Sequence, residues 1–209
     1  APMAQMIAHE GWPLILFART PAQLAPFAHT SARIANSLAE LGAASDLVSI
    51  MVRDDRDVEA VVLGDNILSA MRPGGIIAIH STIHPDTCRR LSATAAARGV
   101  AVLDAPVAGG GHLQSLVLSL GLPLAHPPNA APGRDVAARK LAMMVGGPVE
   151  AYERARPVFE SFAAAIAHMG ESGAGAIAKL VNNLLFYANA ALAAEAVGLG
   201  RALGLDAAA

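Results

Sequence analysis

The stretch IIAIHSTIHPDTCRRLSATAAARGVAVLDAPVAGG, residues 76–110, decides the fold. Residues 76–79 and 100–103 are short apolar runs without alternation, the pattern of strands buried on both faces. Between them, residues 85–98 read as a helix that starts on a proline, where a missing N–H costs nothing. Strand, helix, strand in that order gives a parallel pair joined by a crossover. The same rhythm extends outward. Residues 13–17 and 47–52 read as strands. Residues 1–10, 21–27 (Thr20 as N-cap), 37–41, 54–63 and 67–71 read as helices. Downstream come a strand over 140–145, a helix over 148–162, a strand over 165–169 and a long helix from about 175 to 203. The class is α/β, a doubly wound parallel sheet. Residues 111–132 break the rhythm with Pro123, Pro127, Pro128 and Pro132, and read as an inserted or mobile loop.

Composition narrows the function. Of 209 residues, 54% are apolar and 15% charged, enough apolar material for a sizeable core. A net charge of −2 leaves no bulk field to draw nucleic acid or an anionic membrane. A single cysteine, Cys88, excludes an intramolecular disulfide framework and any cysteine-cluster metal site, and favours a cytoplasmic setting. No metal site is expected, because His80 and His84 lack further ligands at suitable spacing. Residues 180–203 carry Asn182, Asn183, Glu195 and Arg201 and read as a buried helix of a soluble protein, not a membrane span.

Three segments can carry chemistry. The glycine run after Asp104-Ala105-Pro106-Val107-Ala108 lies beyond the carboxyl end of a strand, where open sheets bind ligands; it also reads as a plain turn. Lys179 and Asn183 stand four residues apart and share a helix face with Phe186 and Ala190, opposite an apolar stripe of Ile177, Leu180, Val181, Leu184 and Leu185. An amine and an amide there can line a cleft, or the lysine can be a solvated charge near a helix start. At His80-Ser81-Thr82, hydroxyls come directly after another strand and either meet a ligand or cap the next helix.

Together these segments resemble the β-hydroxyacid dehydrogenase family, which includes 3-hydroxyisobutyrate dehydrogenase, semialdehyde reductases and the 6-phosphogluconate dehydrogenases. Asp104 to Gly110 matches the family's D-A-P-V-S-G-G. Gly175-x-x-x-Lys179-x-x-x-Asn183 matches its G-x-x-x-K-x-x-x-N. Ser81-Thr82-Ile83 matches its strand-end S-T-x, and Lys140 to Gly147 the segment after the substrate loop. The resemblance implies a Rossmann domain over residues 1–170 that binds NAD(P), and the start of a helical domain over 171–209. Lys179 would be the general acid/base and Asn183 would orient the substrate. Ala108, Gly109 and Gly110 would hold its carboxylate. Ala18, Arg19, Thr20, Met51, Val52 and Thr82 would line the cofactor. The cofactor is expected to be NADP rather than NAD. Position 18, where NAD-preferring members place a carboxylate, is alanine, no carboxylate stands ready to repel a 2′-phosphate, and Arg19 offers a cationic fork. A small carboxylate-bearing substrate and a homodimer or homotetramer are implied.

The sequence also departs from the family pattern. Ala1 to Ala4 matches the residues just after the last glycine of G-x-G-x-x-G, so the first strand and its glycines do not appear, and both ends read as truncated. The motif serine is Ala108, and the family's L-P after the Met51 strand is Val52-Arg53. Two other functions therefore stand beside the dehydrogenase: an imine reductase of the same architecture, and an inert binding or assembly fragment.

Overall fold

A computed structural model describes residues 2–64, 66–109 and 141–205. The elements in chain order are α1 (Pro2–His9), β1 (Ile15–Leu16), a 3-10 helix (Pro21–Phe27), β2 (Arg33–Ile34), α2 (Leu38–Ala43) and β3 (Leu47–Ile50). Next come α3 (Asp55–Glu59), which runs into a π turn (Ala60–Gly64), α4 (Ile67–Ala70), β4 (Ile76–Ile79), α5 (Pro85–Ala96) and β5 (Ala101–Asp104). The chain ends with β6 (Val107–Ala108), β7 (Leu141–Gly146), α6 (Val149–Phe159), β8 (Ala163–Gly170) and α7 (Ala174–Ala202).

Strands β3, β4 and β5 pair in parallel, as the stretch 76–110 predicts for β4 and β5. Alternate residues of β4 face opposite layers, which is why all four are apolar. Ile77 and Ile79 pack with Val58, Val62, Ile67 and Leu91 on one side. Ile76 and Ala78 pack with Leu103, Val145, Tyr152 and Phe159 on the other. Each fully buried isoleucine contributes roughly 1.5–3 kcal/mol. Strands β1 and β2 form a separate parallel pair, not bonded to the larger sheet.

The structure differs from the sequence expectations in several places. The sheet is mixed: β7 runs antiparallel to β5 and β6, while β8 joins β7 in parallel. Strand direction is set by the connection, and an apolar run reads the same either way. Strand β2 carries no apolar signal, since both its residues are exposed. The hydroxyl of Thr20 makes no cap bond. The helix expected over 54–63 changes from α to π turn at Ala60. The segment expected as an inserted loop, 111–132, lies outside the described residues.

The largest correction concerns α7. Only Gly175, Ala176 and Lys179 are buried along its 29 residues. Leu184, Leu192 and Leu199 are more than 60% exposed, so this is not the buried helix expected over 180–203. By length and composition alone, α7 is long and apolar enough to cross a membrane.

Its first turns are nevertheless fixed tightly to the sheet. A Cβ on Gly175 would stand 2.5 Å from the backbone oxygens of Asp104 and Met144. A Cβ on Gly146 would stand 2.7 Å from the Asp104 carboxylate and from the Gly175 nitrogen. Only glycine at both positions lets helix and sheet meet so closely. Gly175→Ala should therefore lower unfolding free energy in urea by about 1–3 kcal/mol, the usual cost of overpacking. Gly198→Ala on the same helix, where a Cβ meets nothing within 4 Å, should raise it by roughly 0.5–1 kcal/mol. Equal effects from the two changes would contradict this packing.

Candidate active site

The site is organised by a buried carboxylate. Asp104 ends β5 and is 1% exposed. Its Oδ1 accepts the Gly173 N–H at 2.8 Å and its Oδ2 accepts the Ala176 N–H at 2.8 Å. These donors belong to the first turn of α7, whose early N–H groups have no partner within the helix. Gly173 reaches them with φ +92°, in the left-handed region. Burial pushes the Asp104 carboxyl up from its ordinary value, and the backbone N–H bonds offset only part of that rise. The first residue of the Asp104–Gly110 motif thus holds the helix that carries Lys179.

A histidine ties in the third motif. His80 is buried at the end of β4, with Nδ1 2.9 Å from the Ala105 carbonyl and Nε2 3.1 Å from Ser49 Oγ. A carbonyl only accepts, so Nδ1 carries the proton and Nε2 accepts from the serine. Burial pushes the His80 pKa down, which keeps the ring neutral. Phe159 and Phe162 meet it edge-on. Next to it, Ser81 Oγ donates to the Val52 carbonyl at 2.9 Å and accepts the Val52 N–H at 2.8 Å. Ser81 is therefore committed to the frame. Thr82, its neighbour, is exposed, and its hydroxyl has no partner among the described residues. The cap of α5 is His84, whose Nδ1 accepts the Asp86 N–H.

Lys179 is 7% exposed, not the solvated charge that spacing alone allows. Its amine has no hydrogen bond or ion pair among the described residues, and burial pushes its pKa down. Asn183 and Phe186 on the same face are half-buried, while Ile177, Leu180, Val181, Leu184 and Leu185 are exposed. Cys88 is no nucleophile, since burial pushes its thiol up to about 12. Among the described residues, no group of three or more histidine, cysteine or acidic side chains is placed to hold a metal.

A cleft of about 1710 Å³ opens between β1 and β3. It reaches inward to the core residues Ile7, Leu47, Ile76 and Phe162. Ala18, Arg19, Thr20, Met51 and Val52 line it, as does Gly109. Thr82, Ala108, Lys179 and Asn183 are not among its lining residues. Ala108 pairs with Ala142 in the sheet, and Gly110 lies outside the described residues.

One expectation fails at this cleft. A carboxylate does stand beside Arg19: Asp57, in the first turn of α3, accepts from both terminal guanidinium nitrogens at 3.3 Å. Sequence reasoning missed it because 38 residues separate the two. It also assigned no role to Asp104 or His80, although a carboxylate closing an apolar strand is itself a sign of a buried, bonded acid.

The family model described as the NAD binding domain of 6-phosphogluconate dehydrogenase matches residues 1–115 and 133–170. The chain belongs to that family. An uncharacterised oxidoreductase of Mycobacterium tuberculosis is 37% identical over 209 residues, covering 99% of this chain and 62% of that protein. An NAD-dependent L-serine dehydrogenase of Pseudomonas aeruginosa is 35% identical over 208 residues, with coverage of 99% and 62%. The structure of M. tuberculosis 3-hydroxyisobutyrate dehydrogenase with L-serine superposes with a TM-score of 0.82 at 30% identity, covering 98% of this chain and 62% of that one. A Streptomyces aurantiacus imine reductase shares the fold, with a TM-score of 0.77 at 21% identity, covering 100% of this chain and 66% of that one. The chain thus spans about 62% of the length of the curated relatives it matches.

The lowered pKa of Lys179 gives a test that needs no substrate. Folding lowers the Lys179 pKa below its unfolded value of 10.5. Between the two values the unfolded chain binds a proton that the folded chain does not, so this group's contribution rises with pH across that window and is unfavourable below it. Lys179→Met should raise stability at pH 7 by about 0.5–2 kcal/mol and flatten its rise toward pH 10. A variant less stable than the parent at pH 7, measured by urea unfolding, would contradict an unfavourable desolvation of Lys179.

Proposed function

We propose that this chain is the dinucleotide-binding part of a hydroxyacid dehydrogenase, or of a semialdehyde reductase running the same reaction backward. Residues 1–170 are the binding domain and 171–209 begin a helical domain; the family match ends at residue 170 and α7 starts at Ala174. The observation that carries the proposal is the pair of bonds from Asp104 to the start of α7. They fix the start of α7 to Asp104, the first residue of the Asp104–Gly110 motif, at the carboxyl end of β5, where open sheets bind ligands.

A bound nicotinamide supplies hydride acceptance or donation. The chain's own residues do the rest. Neutral Lys179 takes the proton of the substrate hydroxyl during oxidation, and its ammonium returns it during reduction. A pKa lowered by burial raises the neutral fraction near physiological pH. Asn183, one turn further along, orients the substrate, and the backbone N–H groups of Gly109 and Gly110 hold its carboxylate. Thr82, whose hydroxyl has no partner among the described residues, would meet the nicotinamide ribose. At the other end Ala18, Arg19 and Thr20 receive the adenosine ribose, with Met51 and Val52 across the cleft. The cofactor is NADP(H), with the Arg19 fork exchanging its weak exposed bond to Asp57 for the 2′-phosphate. The protein is cytoplasmic and does not engage nucleic acid or membrane. A second copy covers the exposed apolar stripe of α7 in a homodimer or homotetramer, since such a stripe is costly to leave in water.

Lys179→Ala should abolish reduction of glyoxylate and succinic semialdehyde while leaving NADPH affinity within about twofold. A variant retaining a tenth of parent activity would remove Lys179 from the chemistry. In the parent, oxidation of the hydroxyacid should rise with pH through an inflection below 10.5, the ordinary lysine value. Turnover of a cyclic imine with none of either aldehyde would favour the imine reductase. Absence of NADPH binding by calorimetry would favour an inert fragment.

A further inference from the structure

We infer that Asp57 is a specificity-determining residue of the cleft, competing with a cofactor 2′-phosphate for Arg19 and so shifting preference toward NAD(H). The inference rests on the reading of the cleft as a dinucleotide site. Arg19 lies just after β1, and Asp57 reaches it from α3, so two separate elements meet at the adenosine end. The contact is bidentate, Nη1 to Oδ1 and Nη2 to Oδ2, both at 3.3 Å. It therefore occupies the Nη1–Nη2 edge of the guanidinium, an edge through which it would bind a phosphate. Asp57 is held in place independently of Arg19: it accepts the Arg53 N–H at 3.4 Å, and its own N–H donates to Asp54 at 3.0 Å. The Arg19 bond is the main cause holding its carboxyl below the ordinary value, so it is ionised at neutral pH. Arg19, Arg53 and Asp57 all line the cleft.

Two cofactors meet this arrangement differently. A 2′-phosphate must displace the carboxylate from Arg19 and then sit beside it, like charge against like charge. A 2′-hydroxyl can donate to Asp57 and leave the ion pair intact. Exposed pairs of this kind are weak, so Arg19 remains displaceable and the discrimination is graded.

The test is calorimetric titration of the parent chain and Asp57→Asn with 2′,5′-ADP and with ADP. Asparagine keeps the size and one acceptor oxygen but removes the charge. We expect the variant to bind 2′,5′-ADP at least threefold more tightly, with ADP unchanged or weaker, and the gain to shrink as salt is raised. The gain should vanish in the double variant Arg19→Ala, Asp57→Asn. Tightening that is equal for both nucleotides, or that survives loss of Arg19, overturns the inference while leaving the dinucleotide site intact. Failure of the parent and the variant to bind either nucleotide overturns the dinucleotide reading, and the inference falls with it.

Discussion

The buried carboxylate of Asp104 holds the first turn of α7 against the end of the sheet, and the arrangement of the site depends on that contact. An ionised carboxylate out of water is costly unless its lone pairs are met. Here two backbone N–H groups meet it, both at 2.8 Å. The same N–H groups, left without Asp104, would be buried donors with no partner. Each side therefore fixes the other. Gly146 and Gly175 permit the approach, because a side chain on either would collide with backbone or carboxylate. Lys179 is brought into a buried position as a consequence, although most of its helix is exposed.

From Asp104 the frame extends through its neighbours. The Ala105 carbonyl accepts a hydrogen bond from His80, His80 accepts from Ser49, and Ser81 clasps Val52. Four segments far apart in the chain are thereby tied together at the strand ends. The side chains that make these bonds are not the ones free to meet a ligand. Asp104, His80 and Ser81 are buried and committed, whereas Thr82 and Lys179 have no hydrogen-bond partner among the described residues. The proposed proton transfer at Lys179 relies on such a satisfied frame to hold the helix that carries it.

Much of the frame is legible in the sequence. Strand β4 reads to the residue, because a run apolar on both faces has few alternatives at that length. Helix α5 is placed by Pro85 and the polar residue before it. The lysine motif lies on a helix as its spacing requires. What escapes is what local pattern does not encode. The antiparallel course of β7 depends on the route of the chain. Strand β2 is two exposed residues that exist only through pairing with β1. The apolar composition of α7 suggests burial, yet burial depends on what lies opposite. The Arg19–Asp57 pair joins residues from different elements, and no spacing rule connects them.

The central claim is that Asp104 pins the start of α7 to the sheet. Site-resolved amide hydrogen exchange on the parent chain and on Asp104→Asn tests it most directly. The variant loses the charge and presents an N–H donor to one of the two backbone donors. If Asp104 pins the helix, residues 173–179 exchange faster in the variant, with β4 and β5 as protected as in the parent. Unchanged protection over 173–179, or protection lost equally throughout the sheet, would contradict the claim.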